Sequence, residues 1–280
     1  MIDSLILRLW SYPRHVVLQT TLGGAIVITL LLFALLGQFF FNPFVLLTSP
    51  FEPPSYAHPF GTDFLGRDVL SRLIVGTGQT LTAAATAVGI ATVIGSLSGV
   101  LSGYIGGKLD RAITMVMDAW YSFPDIVMAL LIIVLLGSGA FNAGLAIGLA
   151  LIPQFFRVLR SDSFSTKSAT YIEAERVLGA STRWILLRHL VPAALPSLIV
   201  MMTIGLARAV LTLGGLGFLG LGVAPPTPEW GAELGYAKNA IVSGIWWPTA
   251  YAGLMIFIAV IGFNQLGNGL RAMVAAQRST

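Results

Sequence analysis

Six long apolar runs, separated by loops that carry most of the charged residues, constrain the fold of this chain more than any other feature. The runs cover roughly residues 20–41, 78–104, 112–137, 140–159, 193–220 and 248–270. A helix of about 20 apolar residues is long enough to cross the hydrocarbon of a bilayer. The first run exceeds the apolar core of a secretory signal, and bulky FFFNPF follows it where a cleavage site would stand, so we expect a retained helix. The sequence therefore predicts an all-α integral membrane protein with six transmembrane helices.

The distribution of lysine and arginine predicts the orientation of these helices, because cytoplasmic loops are enriched in basic residues. With the N-terminus inside the cell, twelve basic residues fall on the cytoplasmic side and three on the outside. The cytoplasmic set comprises Arg8, Arg14, Lys108, Arg111, Arg157, Arg160, Lys167, Arg176, Arg183, Arg188, Arg271 and Arg278. The outside set comprises Arg67, Arg72 and Lys238, and the remaining one, Arg208, lies within a run.

This count predicts a multi-pass protein of the cell (inner) membrane with both termini in the cytoplasm. Its parts are a cytoplasmic N-terminal segment (1–19), a transmembrane domain (20–272) with a cytoplasmic loop at 160–192, and a cytoplasmic tail (273–280). The count also explains the net charge of +4 without nucleic acid. Outside these loops, no basic run interleaved with aromatic residues indicates a nucleic-acid partner.

The sequence contains no motif that indicates an enzyme. The three histidines, at positions 15, 58 and 189, lie in different loops without metal-ligand spacing, and the chain has no cysteine. The nucleophile motif G-x-S-x-G and the phosphate-binding motif G-x-x-x-x-G-K-[ST] are both absent from the sequence. We therefore expect no catalytic residue, metal site or cofactor in this chain, and any ATP would be hydrolysed by another polypeptide.

Small residues recur at every fourth position of the second run, which places them in a slowly winding stripe along a helix. They are Ala83, Ala87, Ala91, Gly95, Gly99 and Gly103. Such a stripe lets another helix approach closely. We expect it to pack inside this chain, and contact with a partner subunit is the alternative.

A charged stretch, YIEAERVLGASTRWILLRHLVP (171–192), interrupts the apolar runs and has Gly179 in its middle. Its charges cannot lie in hydrocarbon, where each costs several kcal/mol. We expect a helix–glycine–helix element in water, with Gly179 at a positive φ that a side chain would strain. The apolar residues of this element require a partner, and they include Ile172, Val177, Leu178 and Trp184.

Three charged residues lie well inside the predicted spans, away from the ends of the runs. Asp118 and Asp125 are seven residues apart, so they are predicted to share a face of the third helix, which Pro124 is expected to kink. Arg208 lies midway along the fifth span. Charges at this depth pair with one another or face a polar cavity. One hypothesis is a structural Asp–Arg pair; the other is that these residues line a translocation path, where Arg208 could meet a substrate carboxylate.

The charged stretch resembles the EAA loop of the permease subunits of ABC importers. That pattern is E-A-A, three residues, G, nine residues, I-x-L-P, and this chain has EAE (173–175), three residues, Gly179, nine residues and HLVP (189–192). The spacing is intact, whereas Glu175, His189 and Val191 depart from the pattern. In the family this loop is a coupling helix that docks on the nucleotide-binding subunit. The resemblance implies ATPase-coupling roles for Glu173, Ala174, Glu175, Gly179 and Pro192.

Two further stretches resemble signatures of the dipeptide/oligopeptide/nickel permeases, specifically the shorter of their two paired permease subunits. They are HPFGTDFLGRDVLSRL (58–73) and FLGLGVAPPTPEWG (218–231), and the resemblance extends from about residue 58 to 272. Leu213 stands where many members have glutamate. Nickel-type members also lack that glutamate, so import of nickel or another metal chelate is the alternative to peptide import.

The resemblance implies a type I ABC importer permease fold that works by alternating access. The implied partners are a homologous second permease subunit, two ATP-binding cassette ATPase subunits that bind ATP and Mg²⁺, an extracytoplasmic substrate-binding protein and the lipid bilayer. A stand-alone secondary carrier or channel is the alternative of another class, but the sequence has neither evident internal repeats nor a filter-like ring.

Three charged residues on the predicted outer side, Asp63, Arg67 and Asp68, lie beside a predicted helix start. One interpretation is a local helix cap and ion pair, which contributes under about 1 kcal/mol when exposed. The other is an external gate beneath the binding protein.

Overall fold

The computed structural model of the protein describes residues 13–46 and 49–278, and for residues 277 and 278 it describes the backbone alone. Arg8 and the side chain of Arg278, which enter the charge count, lie outside this description. The elements in chain order are α1 (Arg14–Phe40), α2 (Val69–Ile90), a π-helical turn (Ala91–Ser96), α3 (Leu97–Ile105), α4 (Gly107–Tyr121), α5 (Asp125–Leu136), α6 (Ala140–Lys167), α7 (Thr170–Val177), α8 (Thr182–Ile185), a second π-helical turn (Leu186–Leu190), α9 (Val191–Phe218), α10 (Trp230–Ala237), a 3₁₀ turn (Ala240–Ser243) and α11 (Trp247–Arg278).

Five helices in the described residues are long and apolar enough to cross a membrane. They are Arg14–Phe40, Val69–Ile105, Ala140–Lys167, Thr182–Phe218 and Trp247–Ala276. α4 and α5 meet the same criterion only as a pair, which makes the number of crossings six if this bent pair counts as one span. The predicted all-α membrane fold is confirmed, although the fifth of these helices begins at Thr182, before the predicted apolar run at 193, because the charged segment ahead of that run continues the helix.

The third predicted crossing is two helices that meet at 89°. Pro124 has no amide hydrogen to donate, and it disfavours helical backbone at Phe123. α5 begins immediately after this proline. The bend exceeds the predicted kink, and the prediction that Asp118 and Asp125 share a helical face is wrong because they lie on different helices.

The bundle is centred on α6, which is the most buried of the membrane-spanning helices and contacts α2, α3, α5 and α9. The small-residue stripe faces α6. A Cβ added to Gly99 would lie 2.5 Å from the carbonyl oxygen of Phe156, and one added to Gly103 would lie 2.5 Å from that of Arg160. These contacts leave no room for a side chain, so the stripe packs inside the chain as predicted.

The helices connect two chemically different ends of the bundle. The basic end contains α7, α8 and the last turns of α3, α6 and α11. Its basic residues include Lys108, Arg111, Arg160, Lys167, Arg176, Arg183, Arg188 and Arg271. The proline-rich end contains segments 41–46, 49–68 and 219–246. There α10 packs on α2, α9 and α11, and the fully buried Trp230 donates its indole N–H to the carbonyl of Leu73 at 2.9 Å.

Candidate functional site

α7, Gly179 and α8 form a helical hairpin at the basic end, called the hairpin 170–190 below. α7 terminates at Gly179, whose φ is +87°. The amide of Ala180 donates to the carbonyl of Glu175 at 2.9 Å, which satisfies a carbonyl left free at the helix end. Ser181 then caps α8 by accepting a hydrogen bond from the amide of Trp184 at 3.2 Å. The predicted helix–glycine–helix and the positive φ of Gly179 are both confirmed.

One apolar face of the hairpin anchors it to the bundle. Ile172, Ile185 and Leu190 are buried, and they form a cluster with α3 and α6. Arg176 lies above the ring of Tyr104 of α3, with 5.4 Å between its guanidinium carbon and the ring centroid. The hairpin is therefore packed against the membrane-spanning helices.

The other apolar face of the hairpin has no cover within the described part of the chain. Val177 is 87% exposed and Leu178 is 86% exposed, both at the tip beside Gly179. Trp184 and Leu187 are more than half exposed on the second arm. Large exposed apolar side chains that lie close together are typical of interaction sites.

Glu175 joins the two arms of the hairpin. One carboxylate oxygen accepts from the indole N–H of Trp184 at 3.1 Å, and the other lies 3.1 Å from the Nε2 of His189. Glu175 and His189 are two of the departures from the EAA pattern, and they contact each other. Sequence reasoning noted each departure separately and missed the pair.

The remaining predicted coupling residues differ in their surroundings. Glu173 and Ala174 are exposed on α7. Pro192 follows the second π-helical turn, in which the amide of Val191 donates to Leu186, five residues earlier. A proline inside a helix removes one hydrogen bond and crowds the preceding turn, so a local widening here is the expected response.

A second site lies at membrane depth, where α5, α6 and α9 meet. The Nη1 of Arg208 donates to the Oε1 of Gln154 at 2.9 Å and lies 3.4 Å from the Oδ2 of Asp125. Asp118 belongs to a different pair, since it accepts from Arg157 at 2.9 Å. Of the two predicted partners of Arg208, the structure therefore brings only Asp125 to it. Gln154 was missed, because an amide in an apolar run carries no charge to signal a site.

The third candidate set lies at the proline-rich end. Asp68 caps α2 by accepting from the amide of Ser71 at 2.8 Å, as expected for a helix start. Asp63 and Arg67 form an ion pair of 2.7 Å in which both side chains are buried. The local cap and ion pair are both present, but the ion pair is buried, so the estimate for an exposed pair does not apply to it. The side chains of Asp63 and Arg67 thus stabilise this end rather than present charge on its surface.

Arg72 links this pair to α10, a connection that sequence reasoning missed. Arg72 is fully buried, and its Nε and Nη2 donate to the Oε1 of Glu233 at 2.9 and 2.5 Å. Its Nη1 donates to the carbonyl of Pro43 at 3.0 Å, and its Nε lies 3.5 Å from Asp63. One guanidinium therefore joins the segment after α1, the start of α2 and α10.

Glu229 caps the N-terminus of α10, the helix that Arg72 contacts through Glu233. It is buried at the start of α10 and accepts from the amides of Gly231 and Ala232 at 2.8 and 2.9 Å, and from the hydroxyl of Thr80 at 3.2 Å. Burial raises the pKa of Glu229 to about 7, against the opposing effect of these hydrogen bonds. Sequence reasoning missed this cap, because glutamate is not among the residues usually preferred at the N-cap.

The described residues contain no group of three or more His, Cys, Asp or Glu side chains that could hold a metal ion.

The sequence model of the family described as "Binding-protein-dependent transport system inner membrane component" matches residues 91–279. The "Probable D,D-dipeptide transport system permease protein DdpC" of Escherichia coli strain K12 is 38% identical over 263 residues, which are 91% of this chain and 86% of that protein. The "Glutathione transport system permease protein GsiD" of Shigella flexneri serotype 5b (strain 8401) is 44% identical over 220 residues, 78% of this chain and 72% of that protein. The protein of the same name from Escherichia coli O6:K15:H31 is 42% identical over the same shares. With a family match over most of its length, an EAA-type hairpin and up to six membrane crossings, this chain belongs to the inner-membrane components of binding-protein-dependent transport systems, the permeases of ABC importers.

Proposed function

We propose that this chain is one of two permease subunits of an ATP-driven importer of di- or oligopeptides, and forms half of the translocation pathway. Relatives named for the transport of a D,D-dipeptide and of glutathione support a peptide cargo. Import of nickel or another metal chelate by the same machinery is the alternative cargo.

The observation that carries this proposal is the exposed apolar tip of the hairpin 170–190. Val177 and Leu178 are almost fully exposed beside Gly179, on an element whose charges keep it out of hydrocarbon. We infer that the tip docks on an ATP-binding cassette ATPase subunit. Two such subunits would bind and hydrolyse ATP with Mg²⁺, and this chain would supply neither a cofactor site nor a catalytic residue.

The orientation in the proposal follows the charge count. The basic end would face the cytoplasm together with the N-terminal segment 1–19, the loop 160–192 and the tail 273–280, and residues 20–272 would form the transmembrane domain. The proline-rich end would then face an extracytoplasmic binding protein. Because Asp63 and Arg67 are buried, we propose that they, with Asp68, shape an external gate by fixing the backbone of segment 49–68.

The pathway in the proposal lies on the side of the bundle where Arg208 and Asp125 are partly exposed. Asp118 would line the same path nearer the basic end, where its pair with Arg157 is half exposed. A homologous second permease subunit would complete the wall. The bilayer would surround the remaining apolar surface.

Copurification tests the proposal. In mild detergent the chain should retain two ATPase subunits, whereas a stand-alone carrier or channel would elute without them. Ala174→Trp enlarges an exposed residue of the hairpin and should weaken ATPase retention without affecting membrane insertion. Val242→Trp is the matched control, because Val242 is 92% exposed at the opposite end. Equal ATPase retention by both variants would exclude the hairpin as the docking surface.

A further inference from the structure

Side chains of two helices, α5 and α6, contact the guanidinium of Arg208, and both contacts are made to the same nitrogen. Its Nη1 contacts Gln154 at 2.9 Å and Asp125 at 3.4 Å, and these are the hydrogen bonds of this guanidinium within the described residues. The Nε and Nη2 therefore have no partner in this part of the chain. These two nitrogens form one edge of the planar group, and such an edge can donate two parallel hydrogen bonds to the two oxygens of a carboxylate.

The position of Arg208 shows what this free edge can face. Arg208 lies 17 residues after Val191 and 10 before Phe218 in α9. At 1.5 Å per residue it is about 25 Å from one end of the helix and about 15 Å from the other. Its side chain is 45% exposed. A cation at this depth is too costly to leave against lipid tails, so the exposed edge must face a polar, water-containing space.

The neighbours of Arg208 orient it without fully neutralising it. Gln154 is uncharged and accepts one hydrogen bond. Asp125 is 30% exposed. Its Oδ2 lies 3.4 Å from one guanidinium nitrogen, a distance longer than that of the usual charge-assisted hydrogen bond. The Nε and Nη2 of the guanidinium therefore have N–H groups without an acceptor in the described residues, and its positive charge is only partly compensated. A carboxylate would satisfy both, whereas a cationic metal complex would be repelled.

We propose that Arg208 binds the C-terminal carboxylate of a peptide in transit, as a specificity-determining residue of the path. Gln154 and Asp125 are positioning residues, because they fix Nη1 and leave the Nε–Nη2 edge directed at the path. This inference rests on the proposed peptide cargo and names the group of that cargo that the permease recognises.

Reconstitution of the complete importer with its binding protein tests the inference, with a radiolabelled dipeptide, alanyl-alanine, as the probe. Arg208→Gln should lower the maximal uptake rate roughly tenfold to a hundredfold, the loss expected for a charge-assisted pair. The concentration of loaded binding protein at half-maximal uptake should not change. Arg208→Lys should give an intermediate rate, because lysine keeps the positive charge but cannot donate two parallel hydrogen bonds to a carboxylate. Wild-type uptake by Arg208→Gln would overturn the inference.

The assembly of the variant importers separates carboxylate binding from a purely structural ion pair. If the only role of Arg208 is to pair with Asp125, Arg208→Gln should reduce the amount of assembled importer, and adding Asp125→Asn should restore both assembly and uptake. Carboxylate binding predicts normal assembly of Arg208→Gln and no recovery of uptake in the double variant. Recovery of uptake in that variant would overturn the inference.

The absence of cysteine from this chain allows a direct test of charge at the same position. Arg208→Cys should transport poorly, and modification with a cationic aminoethyl methanethiosulfonate should restore part of the uptake. The anionic sulfonatoethyl reagent should not restore uptake. The importer without the Arg208→Cys substitution, treated with the same reagents, is the control. Failure of both reagents to reach the introduced thiol, or equal recovery with both, would overturn the inference. If the importer without this substitution takes up no dipeptide, the proposal of a peptide cargo is refuted. Labelling of the thiol then still reports whether position 208 faces water.

Discussion

Replacing Arg72 by methionine should loosen the proline-rich end more than any exposed charge substitution. Arg72 is fully buried and donates to Glu233 through two nitrogens, to the carbonyl of Pro43 and to that of Pro226. Methionine removes the cation and leaves Glu233 as an uncompensated buried carboxylate. Breaking a buried pair in this way costs about 3–5 kcal/mol. The loss should fall on α10, which Arg72 ties to the start of α2.

The double variant Arg72→Met, Glu233→Leu gives the internal control for that magnitude. It removes both charges and fills the space with apolar groups, and such replacements are often neutral or stabilising. We expect it to recover most of the loss, although the carbonyls of Pro43 and Pro226 both lose their donor. Lys238→Met is the surface control, because Lys238 is exposed after α10; it donates to the carbonyl of Phe218 at 3.3 Å, and loss of such an exposed charged contact should change stability by less than about 1 kcal/mol.

Hydrogen–deuterium exchange of the α10 amides in lipid nanodiscs measures the effect locally. At 1.36 kcal/mol per factor of ten, a loss of 3–5 kcal/mol should lower protection about 10² to 10⁴-fold. The α6 amides in the centre of the bundle serve as the reference. Less than a tenfold change in Arg72→Met, or a double variant as unprotected as the single one, would refute the view that Arg72 holds this end together.

Three further predictions concern single positions. Gly179→Val should insert normally but uncouple ATP hydrolysis from uptake, because a β-branched residue is strained at φ +87°; Gly179→Asn, which tolerates that backbone, should stay close to wild type in an uptake assay. Gly99→Ala should reduce the yield of folded protein on size-exclusion chromatography, since its Cβ would lie 2.5 Å from the carbonyl of Phe156, whereas Gly89→Ala on α2, with open space around it, should not. Burial raises the pKa of Glu229 from 4.5 to about 7, so the folded protein keeps a proton there that the unfolded chain releases; this group should lower the stability of the proline-rich end by about 3 kcal/mol as pH rises from 4.5 to 7. Glu229→Gln should weaken this dependence in exchange experiments at several pH values, and the remainder belongs to Glu233, whose pKa burial also raises.

The features predicted correctly from the sequence are local and periodic. The spacing of apolar residues determined the crossings, and the four-residue repeat of small side chains determined which face of α2 and α3 meets α6. The hairpin was predictable because a glycine and charged residues between apolar runs leave few alternatives. In each case the pattern lies within one segment, so no knowledge of the tertiary contacts was needed.

The features that were missed depend on residues far apart in the chain. Arg72 and Glu233 are separated by 161 residues, and counting Arg72 as an outer cation gave no indication that it is fully buried. The acidic pair Glu229 and Glu233, four residues apart in a chain with only 10% charged residues, was a signal that could have directed attention to α10. The size of the bend at Pro124 was also unpredictable, since a proline weakens a helix but the packing of α4 and α5 sets the angle.

One continuous helix, from Thr182 to Phe218, joins the hairpin 170–190 to Arg208. Arg208 lies 26 residues from Thr182, about 39 Å along the axis. A tilt of about 5° with the fulcrum at the hairpin therefore displaces the guanidinium by about 3 Å, whereas Trp184 moves by a small fraction of that distance. Two parallel hydrogen bonds of about 2.8 Å do not survive such a displacement. A small rotation of this helix about the hairpin would thus release an anion bound at Arg208, and it would also change the contacts of Arg208 with Gln154 and Asp125.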